Sequence, residues 1–149
     1  MTFIDEIYDF NIKAGLLDQP YSDFLESSFQ IEEALEGFPF IGAKVSIEVT
    51  TEHSAKDISR EFLNQLGTCH LNDVDRLDKA IDAIVFAVGS IAKLKLTPEQ
   101  ITRAISVVTQ ANLQKLSNIK VDSNGKLLKD SNFIGPEAQL QSILDERNL

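Results

Sequence analysis

The chain has 149 residues, of which 23 are acidic and 14 are basic, so its formal net charge at pH 7 is −9. This charge repels a phosphate backbone and argues against binding of a nucleic acid polymer, whereas the length fits a single domain over residues 1–149. The single cysteine excludes an internal disulfide. With no run of about eighteen apolar residues and no basic leader, the sequence predicts a cytoplasmic protein that does not bind membranes.

Apolar periodicity and capping signals predict an all-α fold, a bundle of four to five helices. Thr2 is expected to cap a first helix that Gly15 ends, and Gly37 is expected to end a second helix over residues 21–36. The other predicted helices span residues 54–66, residues 71–94, a segment from Thr97 toward Leu116, and a last segment that begins at Gly135-Pro136.

Two connections between these helices have patterns of their own. Residues 38–50 are predicted to be irregular, with a short extended arm at Val45, Ile47 and Val49, and their length makes them a candidate lid or partner-contacting segment. Residues 122–125, Asp-Ser-Asn-Gly, predict the tip of a small C-terminal hairpin.

The helix predicted over residues 71–94 combines an apolar stripe with an acidic one. From Ile81 onward it is apolar on nearly every side, which is typical of a central, buried helix. Asp75, Asp78 and Asp82 lie at positions i, i+3 and i+7, so their carboxylates form one stripe that enters the apolar half. Because a buried carboxylate needs a cation, the stripe indicates a metal or a basic partner, although a solvated face of a peripheral helix would also explain it.

A second acidic cluster closes the second predicted helix. Glu36 lies one turn from both Glu32 and Glu33, at the edge of that helix's apolar stripe. Like charges one turn apart destabilise a bare helix, and a bound divalent cation would reverse that effect. Alone, this cluster is also explained as solvated surface.

Residues 115–130 carry more basic than acidic side chains, whereas residues 1–36 are strongly acidic. Asn112 and Lys115 lie together near the end of one predicted helix, and Lys129 follows the predicted hairpin. These residues could bind anions, although a lysine at a helix C-terminus also compensates the helix dipole. The sequence has no glycine-rich phosphate loop, so a bound nucleotide would need metal ions and these lysines for its phosphates.

Together these patterns resemble the MazG-like members of the all-α nucleoside triphosphate pyrophosphohydrolase superfamily. That family has Glu-Glu-x-x-Glu on one helix and Glu-x-x-Asp on the next major helix. Glu32-Glu33-Ala34-Leu35-Glu36 matches the first motif, and Lys79-Ala80-Ile81-Asp82 matches the second at its aspartate. Lys79 stands where the family has glutamate, and Asp78 is the neighbouring carboxylate that could replace it. The likeness continues through residues 111–116, 122–129 and 133–136, which are similar to a subgroup that includes dUTP-hydrolysing enzymes.

The resemblance implies an enzyme that hydrolyses a nucleoside triphosphate, an NTP or dNTP with dUTP among the candidates, to the monophosphate and pyrophosphate. It implies a homodimer or homotetramer, and Mg²⁺, for which Mn²⁺ could substitute. The implied site residues are Glu32, Glu33, Glu36 and Asp82 for catalysis, Glu33, Glu36, Asp78 and Asp82 for the metal, and Asn112, Lys115 and Lys129 for the substrate phosphates.

Two alternatives stay open at this point. Lys79 within the second motif favours a non-catalytic helical dimer whose acidic stripes are surface or a partner site. The superfamily also includes phosphoribosyl-ATP pyrophosphohydrolase, but the histidine that usually follows the aspartate motif in that enzyme is absent here.

Overall fold

The computed structural model describes residues 1–40 and 44–147, and within them the regular elements are helical. Six α-helices are present in this described part of the chain, which confirms the all-α class and exceeds the predicted bundle of four to five helices. They are α1 (Phe3–Lys13), α2 (Asp23–Leu35), α3 (Ala55–Leu66), α4 (Asp73–Ala92), α5 (Pro98–Leu113) and α6 (Glu137–Asp145), with 3₁₀ turns at Leu16–Asp18 and Gln114–Asn118. None of the described helices is long and apolar enough to cross a membrane.

Three of the helices begin with the capping signals that the sequence contains. Thr2, Ser54 and Thr97 each accept a hydrogen bond from the backbone N–H three residues ahead, and the side chain of that third residue bonds back to the cap. These reciprocal bonds satisfy N–H groups that have no partner within the helix, which fixes the starts of α1, α3 and α5.

The chain is organised as two compact units, and Met1–Ser22 with Ala87–Leu149 forms the first of them. Its core consists of the buried side chains Ile4, Val88, Ala92, Leu96, Ile101 and Ile143. α1 and α4 approach closely where Gly89 faces Asn11, because a Cβ at Gly89 would lie 2.9 Å from the Asn11 Oδ1 atom. Asn11 is buried there, and its amide donates to the Ile7 carbonyl at 2.8 Å.

The second unit, Asp23–Phe86, contains α2, α3 and the first part of α4. Phe29 of α2 stacks on Phe86 of α4 with their ring centroids 5.3 Å apart, and the Gln30 amide lies 3.4 Å from the Ala83 carbonyl oxygen. These contacts align α2 with α4. The buried environment predicted for α4 from Ile81 onward is confirmed at Val88 and Ala92 but is wrong at Ile81, and Asp82 is exposed as well. Several members of both apolar stripes are also exposed. They are Phe24, Leu25, Ile31, Val74, Leu77, Ile81 and Ile84.

The two predicted connections have little regular structure. Residues 44–50 form neither helix nor strand, and the Gln65 amide pairs with the backbone N–H and C=O of Ser46 at 2.9 and 2.8 Å. The part of the predicted arm at residues 41–43 lies outside the described residues. The predicted hairpin tip is present as a turn at Asp122–Gly125, closed by one antiparallel bridge between Val121 and Leu127.

Candidate functional site

An open pocket at the end of α2 collects the acidic residues of both motifs. It has a volume of about 410 Å³ and lies within the second unit. The residues that line it are Glu32, Glu33, Leu35, Glu36, Phe40 and Asp82. The two stretches that the sequence analysis joined only by resemblance therefore meet around one cavity, which we call the acidic pocket.

The surroundings of Glu33 in this pocket raise the pKa of its carboxyl group. Partial burial is the largest cause that raises the pKa of its carboxyl group, and the charges of Asp82, Glu36 and Glu32 raise it further, in that order. Lys79 acts in the opposite sense and is the smallest of these influences. The charges of three carboxylates thus act on Glu33, and a cation placed among them would oppose that effect.

The acidic pocket supplies the type of ligand that Mg²⁺ prefers, but not a closed cage. Carboxylate oxygens are hard ligands, and Mg²⁺ commonly takes only one or two of them together with water and phosphate. Among residues 1–40 and 44–147, no three His, Cys, Asp or Glu side chains are arranged as a group that could hold a metal ion. The donor chemistry therefore fits a magnesium site, and the side chains would have to turn toward a common point when the ion binds.

Asp78 stands apart from the four pocket carboxylates. It is exposed on α4, one turn before Asp82, and it is neither among the described residues that line the pocket nor among the charges that shift the pKa of Glu33. Its proposed replacement of the missing glutamate stays a prediction.

Lys79 makes the contacts that most change the interpretation of the second motif. Its Nζ atom donates to the carbonyl oxygens of Ala34 at 2.9 Å and Glu36 at 3.1 Å, and it lies 5.6 Å from the centroid of the Phe38 ring. The last carbonyls of a helix have no partner within it, so a cation from a neighbouring helix satisfies them. Lys79 thus ties α4 to the end of α2 that carries the glutamates.

Gly37 also constrains the end of α2. Its backbone is left-handed, with φ of +81°, and a Cβ there would collide with the side chain of Leu71. The Gly37 carbonyl accepts from the His70 backbone N–H at 2.9 Å. Glycine is therefore required both by the turn and by the close approach of the segment that precedes α4.

The predicted phosphate-binding residues form a cluster of their own in the first unit. Lys115 donates to the Asn112 side-chain oxygen at 2.6 Å. The ammonium groups of Lys115 and Lys129 lie 5.6 and 4.9 Å from the centroid of the Phe133 ring. The ring holds two cations near each other, which gives this tail cluster the charge that an anion would need.

Sequence reasoning missed three participants. Phe40 lines the acidic pocket, Phe133 gathers the two lysines, and Lys79 binds the end of α2. The only signal for Lys79 was its departure from the family motif, the only signal for Phe133 was its place in the similar stretch 133–136, and no signal marked Phe40. Lys79 reaches the end of α2 and Phe133 reaches Lys115, and helical periodicity does not encode contacts between such separate segments.

Comparison of this chain with protein-family models, with curated proteins and with solved structures finds no match.

Proposed function

We propose that this protein is a metal-dependent nucleoside triphosphate pyrophosphohydrolase of the MazG-like type. The observation that carries the proposal is the acidic pocket, in which Glu32, Glu33 and Glu36 from the α2 end meet Asp82 from α4. Partial burial and then the charges of Asp82, Glu36 and Glu32 raise the pKa of Glu33, and a divalent cation bound among these carboxylates would oppose both effects.

Glu33, Glu36 and Asp82 would hold Mg²⁺, with Glu32 or Asp78 as a further ligand, and Mn²⁺ could take its place. When bound, the ion neutralises triphosphate charge and makes a water molecule more acidic. Glu32 lies in the same pocket and is our candidate for orienting that water and accepting its proton.

The reaction is the attack of a water oxygen on the α-phosphorus of the substrate. The bond from that phosphorus to the bridging oxygen breaks, and pyrophosphate leaves with the electron pair while the nucleoside monophosphate keeps the new oxygen. Asn112, Lys115 and Lys129 are assigned to the phosphates, because developing charge on phosphoryl oxygens is stabilised by fixed cations and donors. The substrate is an NTP or a dNTP, with dUTP among the candidates, and the role would be control of the nucleotide pool in the cytoplasm.

The exposed apolar face of α4 supports a homodimer as the working form. Val74, Leu77, Ile81 and Ile84 recur at three- and four-residue spacing and are exposed within the chain. A stripe of this kind is suited to helix packing between copies. A homotetramer is the other assembly that the resemblance implies, and light scattering distinguishes the two masses.

The test is pyrophosphate release from a panel of the common NTPs and dNTPs together with dUTP, in Mg²⁺ and then in EDTA. We expect release from at least one substrate in Mg²⁺ and none in EDTA. Glu36→Ala is expected to abolish it while the helical circular dichroism is retained. Asp75→Ala, which removes an exposed carboxylate of α4 outside the acidic pocket, is the matched control and should keep activity. Full activity of Glu36→Ala would refute the assignment.

A second candidate function is favoured by Lys79 and by the lack of a closed metal cage among the described residues. In that case the protein is a non-catalytic helical dimer whose acidic pocket is a partner site. Thermal unfolding distinguishes the enzyme from the binding protein, because an ion that binds only the folded chain raises the apparent stability of that chain. A rise in melting temperature with Mg²⁺ or Mn²⁺ that Glu36→Ala abolishes favours the enzyme, and no response to either ion favours the binding protein.

A further inference from the structure

Lys79 connects the two helices that supply the carboxylates of the acidic pocket. It sits three residues before Asp82 on α4, and its ammonium group reaches the α2 segment that carries Glu33 and Glu36. Two helices contribute carboxylates to the acidic pocket, and within the described residues Lys79 makes direct polar bonds from one to the backbone of the other. Lys79 thus joins α2 to α4 beside the acidic pocket, together with the Gln30–Ala83 bond and the Phe29–Phe86 stack.

The bonds of Lys79 go to backbone oxygens. One acceptor is the carbonyl of Glu36, and the other is the carbonyl of Ala34, the residue after Glu33. Backbone bonds at these positions restrict the turn on which the glutamate side chains are mounted. The Phe38 ring beyond them adds a cation–π contact at 5.6 Å.

Glu33 links the acidic pocket to the surroundings of Lys79. It lines the acidic pocket, and it also lines a second cavity of about 570 Å³ whose walls include Phe38, Leu71, Arg76 and Lys79. Glu33 thus contributes to the cavity that contains the other carboxylates and to the cavity that contains Lys79. Movement of the α2 end would displace this side chain relative to Asp82.

We propose that Lys79 is a positioning residue of the acidic pocket, which holds the α2 turn bearing Glu33 and Glu36 in register with Asp82 for binding of a divalent cation. This inference rests on the proposed function. It also gives a reason for the departure from the family motif, because a glutamate at position 79 has no proton to donate to the carbonyls of Ala34 and Glu36.

Two other roles for Lys79 make different predictions. A lysine that only caps α2 would leave cation affinity unchanged when it is removed. A lysine that mainly repels the cation would, when removed, tighten binding. The positioning role predicts weaker binding instead, because residues that orient metal ligands typically change metal affinity about 10- to 100-fold when they are mutated.

The experiment measures the Mn²⁺ dissociation constant of the full chain by titration calorimetry, for wild type, Lys79→Met and Lys79→Arg. Methionine keeps the length and apolar stem of the side chain but cannot donate, whereas arginine keeps the charge and the donors. We expect the constant of Lys79→Met to rise by about 10-fold, and that of Lys79→Arg to stay close to the wild-type value.

The matched control is Lys95→Met. The Lys95 ammonium also donates to a backbone carbonyl, that of Leu17 at 3.2 Å, but in the first unit, away from the residues that line the acidic pocket. Its removal should cost stability without changing the Mn²⁺ constant. Amide hydrogen exchange of residues 33–38 in metal-free protein should become faster in Lys79→Met and stay unchanged in Lys95→Met.

The outcomes are distinguishable. If wild type binds no Mn²⁺, the proposed function fails and this inference fails with it. If wild type binds Mn²⁺ and Lys79→Met binds it equally or more tightly, the positioning role alone is refuted. If Lys79→Met does not fold, Phe38→Leu replaces it in the titration, since the leucine removes the ring contact with Lys79 and leaves the lysine in place. A smaller loss of affinity in Phe38→Leu supports the inference, and unchanged or tighter binding overturns it.

Discussion

The two ends of α4 carry the same apolar periodicity and have opposite surroundings. Val88 near the C-terminal end is 3% exposed, whereas Val74 near the N-terminal end is 75% exposed. The first lies in a core built with α1, α5 and α6, and the second lies on a face that the described residues leave open. A helical repeat therefore identifies an apolar face, but it does not identify what covers that face.

The acidic pocket and the lysine cluster lie in different units of the chain. Asp82 and the Glu32–Glu36 group belong to the unit that contains the exposed N-terminal half of α4, and the other unit contains the lysine cluster. Both units expose large apolar side chains, such as Phe3 and Ile119 in the first and Phe24 and Val74 in the second, but the buried apolar cluster lies in the first. The two halves of α4 are thus separated by burial, because the C-terminal half joins that cluster and the N-terminal half does not.

Replacing each of the two valines with alanine tests this separation directly. Val88→Ala should lower the free energy of unfolding by about 1.5–3 kcal/mol, because a buried valine loses most of its transfer free energy. Val74→Ala should change it by no more than about 0.5 kcal/mol, as for most surface substitutions. Chemical denaturation at one fixed, low protein concentration measures both. Equal losses for the two variants would mean that the N-terminal stripe is as buried as the core.

The exposed stripe gives the next prediction if it pairs with a second copy. Leu77→Asp would place a carboxylate in the apolar contact and should weaken the dimer by at least about tenfold, or about 1.4 kcal/mol, since an unpaired buried charge is costly. Light scattering across a dilution series measures the mass. Ile119→Asp, the same kind of change at an exposed apolar residue outside α4, is the control and should leave the mass unchanged. A wild-type chain that is monomeric throughout the series would refute the dimer.

Converting Lys79 to the residue of the family motif should have a smaller effect on stability. Lys79→Glu removes two bonds to the carbonyls at the α2 end and places an anion beside a negative helix terminus. We expect a loss of about 1 kcal/mol in metal-free protein. Thermal unfolding of Lys79→Glu and Lys95→Glu, side by side, tests whether the loss follows from the site or from the charge change. A metal-free Lys79→Glu protein as stable as wild type would show that the bonds of Lys79 to the Ala34 and Glu36 carbonyls contribute no stability.

Much of the fold could be predicted from the sequence because its signals are local. Thr2, Ser54 and Thr97 cap helices through bonds to residues three positions away, and the Asp122–Gly125 turn closes on itself. The division of the chain into two units could not be predicted in this way, since α4 passes from one unit to the other without a break in its periodicity.

The candidate site was predictable only in part, for the same physical reason. Motif spacing places Glu32, Glu33 and Glu36 on one turn, but only tertiary packing brings Asp82 into the same pocket. The contact of Lys79 with the α2 carbonyls joins residues more than forty positions apart, at separations of 45 and 43 residues. No local pattern contains that information, and a residue that looks like a defect in the motif proves to be a structural contact.

The smallest expected effect concerns Glu33 and pH. Its pKa in the folded protein is raised above the usual 4.5, so the unfolded chain releases this proton first as the pH rises. The folded state therefore loses stability as the pH rises through the interval above 4.5, and the loss is fully present once Glu33 is ionised in both states. Glu33→Gln, which cannot ionise, should make metal-free protein slightly more stable than wild type at pH 7 and equally stable below pH 4.5.

Thermal unfolding of metal-free protein across this pH range measures the difference, with Glu52→Gln, an exposed glutamate outside the acidic pocket, as the control. Adding Mn²⁺ should reverse the order at pH 7, because the same charge that costs stability in the metal-free chain becomes a ligand. If Glu33→Gln is less stable than wild type without metal, the repulsion within the pocket does not act on the folded state as inferred.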